Sequence, residues 1–97
     1  MNAKIERYDK ALRILKSIAK SHKARFGEES QQHVETLGMI GYMRFMLLEF
    51  EGALRDLQTV SDWQQSHMDE LHPSVLMTEN AIQSTQKCME GKTSLWV

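Results

Sequence analysis

The 97-residue sequence predicts an all-α fold: about four helices arranged as antiparallel hairpins, a short piece of α-solenoid. Three observations lead there. Apolar residues recur every three or four positions, the spacing that keeps them on one face of a helix of 3.6 residues per turn. The chain holds one proline and is rich in Met, Leu, Lys, Glu and Gln, all good helix formers, while β-branched alternation is scarce. It also repeats itself, since YDKALRIL at 8–15 returns as FEGALRDL at 50–57, an offset of 42.

Each helix can be justified in turn. In the first, about residues 3–26, Ile5, Tyr8, Leu12, Leu15, Ala19, His22 and Phe26 share a face, and Ile14 and Ile18 widen it. Gly27 suits the left-handed position that ends a helix. Ser30 then serves as N-cap, with Glu28 and Glu29 near the positive end of the helix dipole. The second helix, about 31–48, is expected to bury Val34, Leu37, Ile40, Gly41, Phe45 and Leu48. Gly38 and Gly41 are small enough for helix one to pack closely on helix two. The third, about 50–70, carries Ala53, Leu54, Leu57, Val60, Gln64 and Met68. Pro73 fits a first turn, where its missing N–H costs nothing, so the fourth helix runs from there to about Glu90, before Gly91. Residues 1–91 form one helical domain and 92–97 a tail.

The offset of 42 keeps returning matched positions: Leu15 with Leu57, Ile18 with Val60, Phe26 with Met68, Thr36 with Thr78 and Ile40 with Ile82. Apolar positions and helix boundaries register together, as in a helix hairpin that buries its face only by stacking on a neighbour. The alternative is a four-helix bundle, in which helix four closes back on helix one.

The first half of this frame is Phe50-Glu51-Gly52-Ala53-Leu54 and Tyr8-Asp9-Lys10-Ala11-Leu12. The second half is Phe26-Gly27-Glu28-Glu29-Ser30-Gln31 and Met68-Asp69-Glu70-Leu71-His72-Pro73-Ser74-Val75. Over roughly residues 5–91 this resembles the 42-residue tetratricopeptide (TPR) repeats of the kinesin light chain type. The resemblance implies a non-catalytic scaffold that presents a groove, lined by helices two and four, to a peptide or protein partner. It also implies a paired Asn-Asn on each groove helix. Those positions hold Gly38-Met39 and Asn80-Ala81, so Asn80 alone matches. Glu35, Arg44, Gln83 and Lys87 lie on the same helices and are candidate partner-binding residues beside it. In register with such repeats, helix one is the second helix of a hairpin, and the polar Glu79, Gln83, Ser84, Gln86 and Lys87 suit helix four to a capping role.

Charge is unevenly placed. Residues 1–25 carry eight basic side chains against Glu6 and Asp9, a net of +6, and residues 26–97 carry −7. Arg13, Lys16, Lys20 and Lys23 form a candidate basic patch, which points to an acidic partner surface or to self-association through helix one. The second functional reading is therefore a self-associating four-helix module whose basic helix docks on an acidic partner. Nucleic acid is the least favoured partner, because aromatics for base stacking are lacking and the remaining chain repels phosphate.

Catalysis finds little footing in the residue pattern. His22, His33, His67 and His72 lack metal-site spacing, Cys88 is the single cysteine, and no phosphate loop or nucleophile elbow is visible, so neither enzyme nor cofactor is expected. His22 reads as a packing residue with a polar tip. No apolar run nears the ~18 residues of a membrane span and no leader is visible, so a cytoplasmic location is expected. The C-terminal Leu95-Trp96-Val97 has the form of a short carboxylate motif or of a tail folding back on the helices.

Overall fold

Short breaks at 27–30, 47–49 and 68–72 cut the chain into four helices. The computed structural model describes residues 3–94 and contains α1 (Ala3–Phe26), α2 (Gln31–Met46), α3 (Phe50–His67) and α4 (Pro73–Ser94). Leu95-Trp96-Val97 lies outside the described residues. Gly27 ends α1 with φ 95°, a conformation costly for any residue with a Cβ. Ser30 caps α2, its Oγ accepting from the His33 N–H at 3.2 Å. At the start of α4, the Ser74 N–H donates to His72 Nδ1 at 3.0 Å.

Three boundaries differ from the sequence reading. α2 stops at Met46 rather than about Leu48, because Leu48 takes φ 63° and the Glu49 N–H turns back to the Arg44 carbonyl at 2.8 Å. Leu48 is consequently exposed, not buried. α3 stops at His67, since Met68 is extended (φ −131°, ψ 156°). α4 continues past Gly91 to Ser94, and Gly91 has no positive φ.

The helices pack strictly in chain order. α1 meets α2, α2 meets α3, α3 meets α4, and α2 lightly touches α4; among the described residues α1 touches neither α3 nor α4. Short connections turn each helix back against the one before. The chain therefore forms an open stack of hairpins and not a closed bundle, and it spans 44 × 33 × 18 Å, about two helices thick.

Each interface has its own chemistry. Between α1 and α2, Leu12, Ala19 and Ile40 are buried, with Leu15, Leu37, Met43 and Leu47 around them. Two histidines pin that pair: His33 Nδ1 lies 3.1 Å from the Ala19 carbonyl, and His22 Nδ1 lies 3.1 Å from Thr36 Oγ1. Ile5 and Phe26, assigned to the same face, are exposed because α1 has 24 residues and α2 only 16, so both ends of α1 overhang. Between α2 and α3, the glycines face α3 and not α1. A Cβ at Gly41 would sit 3.1 Å from Leu57 Cγ, whereas one at Gly38 would meet Val60 Cγ2 at 3.8 Å. Between α3 and α4, Val75, Thr78 and Thr85 are buried. Thr78 and Thr85 keep their hydroxyls satisfied by donating to the carbonyls of Ser74 and Ala81, four residues back.

The two glycines separate helix propensity from packing. Gly38→Ala has room for its methyl and should raise the unfolding free energy by about 0.5–1 kcal/mol, the usual gain over glycine inside a helix. Gly41→Ala forces Leu57 to shift and should fall clearly short of that gain. Urea midpoints of the two variants check this, and equal stabilisation would refute close packing at Gly41.

Candidate functional site

Because α2 and α4 barely touch, α3 forms the floor of a groove between them. A 360 Å³ cavity is lined by Tyr42, Met46, Leu57, Met77, Asn80 and Ser84 among others. A 540 Å³ cavity beside it is lined by Glu35, Met39, Val60, Gln64 and again Tyr42 and Met77. The shared Tyr42 and Met77 make the two one continuous groove. On α2, Met39, Tyr42 and Met46 step by three and four residues and so share a face. They are exposed, and so is Met77 on the opposite wall. Three of the four are flexible thioethers, side chains that repack readily. In the floor, the Gln64 side chain is buried; its Nε2 donates to the Ser74 carbonyl at 3.4 Å and its Oε1 has no hydrogen-bond partner.

The residues singled out from sequence separate. Asn80 is exposed on the groove wall. Glu35 lies on the opposite wall and accepts from Gln31 Nε2 at 2.9 Å. Gln83 and Lys87 are exposed on α4 but do not line either cavity. Arg44 turns away from the groove and lies across Gly52 in the first turn of α3; a Cβ at Gly52 would meet its Nη1 at 3.0 Å. That clearance explains the glycine in FEGALRDL where the earlier copy has Lys10. Arg13, Lys16, Lys20 and Lys23 are all exposed on α1, and among the described residues they form no ion pair.

Comparison with protein-family models, with curated proteins and with solved structures finds no match. The site rests on its own geometry.

Behind the groove, Arg44 Nη1 stands 3.2 Å from Asp56 Oδ2, joining α2 to α3. The contact is an ion pair and not a hydrogen bond, for Asp56 Oδ2 and Arg44 Nε are buried with no hydrogen-bond partner. Burial lifts the Asp56 carboxyl above its ordinary 3.8, against the opposing pull of Arg44, Arg55 and Lys16. Desolvation thus outweighs the attraction of three cations, as is usual for a charge with unfilled hydrogen-bond positions.

Near the C-terminal end of α3, Trp63 Nε1 donates to the Glu29 carbonyl at 2.7 Å, and its ring stacks on His67 at 4.1 Å. Trp63 thereby fastens the α1–α2 connection to α3 while contributing to the groove. Sequence reasoning passed over Trp63 and the Met39, Tyr42, Met46 and Met77 group. The signal for the second group was a second apolar stripe on α2 outside the buried one. Among the described residues no three His, Cys, Asp or Glu side chains gather closely enough to hold a metal ion, and no helix is long and apolar enough to cross a membrane.

Asp56 generates a signed pH prediction. Its folded pKa is raised, so protonation favours the folded state; this contribution is complete below 3.8 and is lost as pH rises through the raised value. In Asp56→Asn that loss is absent, so the stability of the parent relative to the variant should decline from acid toward neutral pH. Asp56→Ala at pH 7 strands Arg44 and should cost about 3 kcal/mol, the low end for a broken buried pair, because Arg44 keeps some access to water. Denaturant titrations at several pH values read both effects, and a parent-to-Asn difference independent of pH would contradict the raised carboxyl.

Proposed function

We propose that this chain is a non-catalytic protein–protein interaction scaffold that holds a peptide or protein segment in the α2–α4 groove, in the manner of TPR repeats. The observation that carries this reading is the groove's exposed apolar lining, Met39, Tyr42 and Met46 on one wall and Met77 on the other, beside the polar Glu35 and Asn80. Apolar anchors supply affinity, and a few placed polar groups orient the ligand. The buried Gln64 Oε1 adds an acceptor for a ligand N–H, since an unmet buried acceptor gains most from a donor. The open order of helices supports a repeat stack over the self-associating bundle, which requires α4 to close on α1. The likeness to TPR repeats is further supported by Thr36 and Thr78, 42 residues apart, which are both buried and both donate to the carbonyl four residues back.

Methionine methyl groups make this testable without knowing the natural ligand. Peptides selected from a display library on the intact chain should shift the methyl resonances of Met39, Met46 and Met77 and leave that of Met43, packed between α1 and α2, in place. Asn80→Ala should change stability by no more than about 0.5 kcal/mol, as exposed polar substitutions do. It should weaken a groove peptide by about 1–3 kcal/mol where the amide is buried on binding. Selected peptides that leave the three groove methyls unmoved would sink this reading.

A further inference from the structure

The internal repeat singles out a second face of the stack. At the offset of 42, Ile14, Leu15 and Ile18 of α1 correspond to Asp56, Leu57 and Val60 of α3. In α3 this face is covered by α2: Asp56 pairs with Arg44, Leu57 meets Gly41 and Val60 meets Gly38. Asp56 is consequently 8% exposed and Val60 5%. On α1 only Leu15 of the three lies against α2, and Ile14 and Ile18 have no helix on them. Ile14 is 60% exposed and Ile18 39%, because α2 occupies a different side of α1, the one carrying Leu12 and Ala19. The stripe extends by steps of four and three through exposed Arg7, half-buried Ala11, and exposed Ile14 and Ile18 toward Arg25, a heptad-like seam ~27 Å long at 1.5 Å per residue.

Charge selects what fits there. Arg7 and Arg25 are exposed near the two ends of the seam, and Lys10 is exposed along its edge. A second α1 would bring the same cations against them. The exposed positions of α4 from another copy would bring Glu79, Asn80, Gln83, Gln86 and Lys87, mostly amides with one acid and a further cation, around Leu76 and Met77 in place of a continuous apolar stripe. We propose that this face of α1 docks an acidic amphipathic helix of another protein. The incoming helix lies on α1 as α2 lies on α3, its apolar residues over Ile14 and Ile18 and its carboxylates against Arg7, Lys10 and Arg25. This site is separate from the α2–α4 groove and stands or falls independently of it.

The test uses the intact chain and a labelled synthetic helix of about three heptads with Leu at a and d and Glu at e and g, together with a second peptide carrying Lys at e and g. Fluorescence anisotropy should show the Glu peptide bound and the Lys peptide not, with affinity falling as salt rises. Ile14→Asp with Ile18→Asp should weaken the Glu peptide at least about tenfold, since it sets charges against the apolar stripe. These side chains are exposed, so circular dichroism should remain that of the parent. Arg7→Glu with Arg25→Glu should reverse the preference, admitting the Lys peptide and rejecting the Glu peptide. Met77→Glu, which alters only the groove, should leave the Glu peptide's affinity unchanged. Equal binding of both peptides by the parent, or loss of binding in Met77→Glu but not in the double aspartate variant, overturns the proposal. So does sedimentation of the peptide-free chain as a dimer that Ile14→Asp with Ile18→Asp dissolves, because a second copy is then the occupant.

Discussion

The close approach of α2 to α3 is the constraint on which the rest of this structure depends. Gly38 and Gly41 present bare backbone toward Val60 and Leu57, and α3 is drawn in far enough to become a floor as well as a neighbour. With α3 at that depth, α4 packs on its other side and leaves α2 and α4 nearly out of contact. The groove is what remains between them. Had α2 carried larger side chains here, α3 would stand further out and the space above it would be shallower. On its opposite side α2 holds α1 through Ile40 and the two histidine contacts, so one helix of 16 residues serves both interfaces.

The Arg44–Asp56 pair shows what the same constraint costs. Pulling α2 onto α3 takes a carboxylate and a guanidinium largely out of water at the edge of the interface, and the raised Asp56 pKa says that their mutual attraction does not make up the loss. Its value lies elsewhere. The Arg44 side chain spans from α2 across Gly52 to Asp56, one helical turn further along α3, and so fixes the axial register of the two helices. Leu packed on Gly tolerates sliding along the helix axis; a charge that must find its partner does not.

Much of the fold was legible because helix signals are local. Gly27, Ser30 and Pro73 mark ends through backbone conformation, capping and a missing N–H, and none of these depends on distant residues. The ends of α2 and α3 were less so, since Leu48 adopts a left-handed conformation that nothing in its side chain favours and Met68 continues an apolar pattern past the last helical turn. The site was legible only in outline. Helices two and four were assigned to the groove from the repeat frame, and Asn80 and Glu35 do line it. Arg44 could not be separated from them, because a partly exposed arginine and a buried partner such as Asp56 look alike in a one-dimensional pattern. The methionine wall escaped for a related reason: periodicity reports that a residue is apolar, not whether the facing element arrives to cover it.

The two walls of the groove differ in how they are held. α2 is braced on both flanks, by α1 and by α3, while α4 is seated on α3 with only a light touch on α2. In a stack stabilised by nearest neighbours, the free energy needed to displace a helix falls with the number of its seats. A segment held in the groove as proposed would lie between one braced wall and one lightly seated wall, and yielding at Met77 would leave the α1–α2–α3 frame in place. Ligands of different girth would be accommodated by one wall, and the strain of each fit would be stored in the Val75, Thr78 and Thr85 seam.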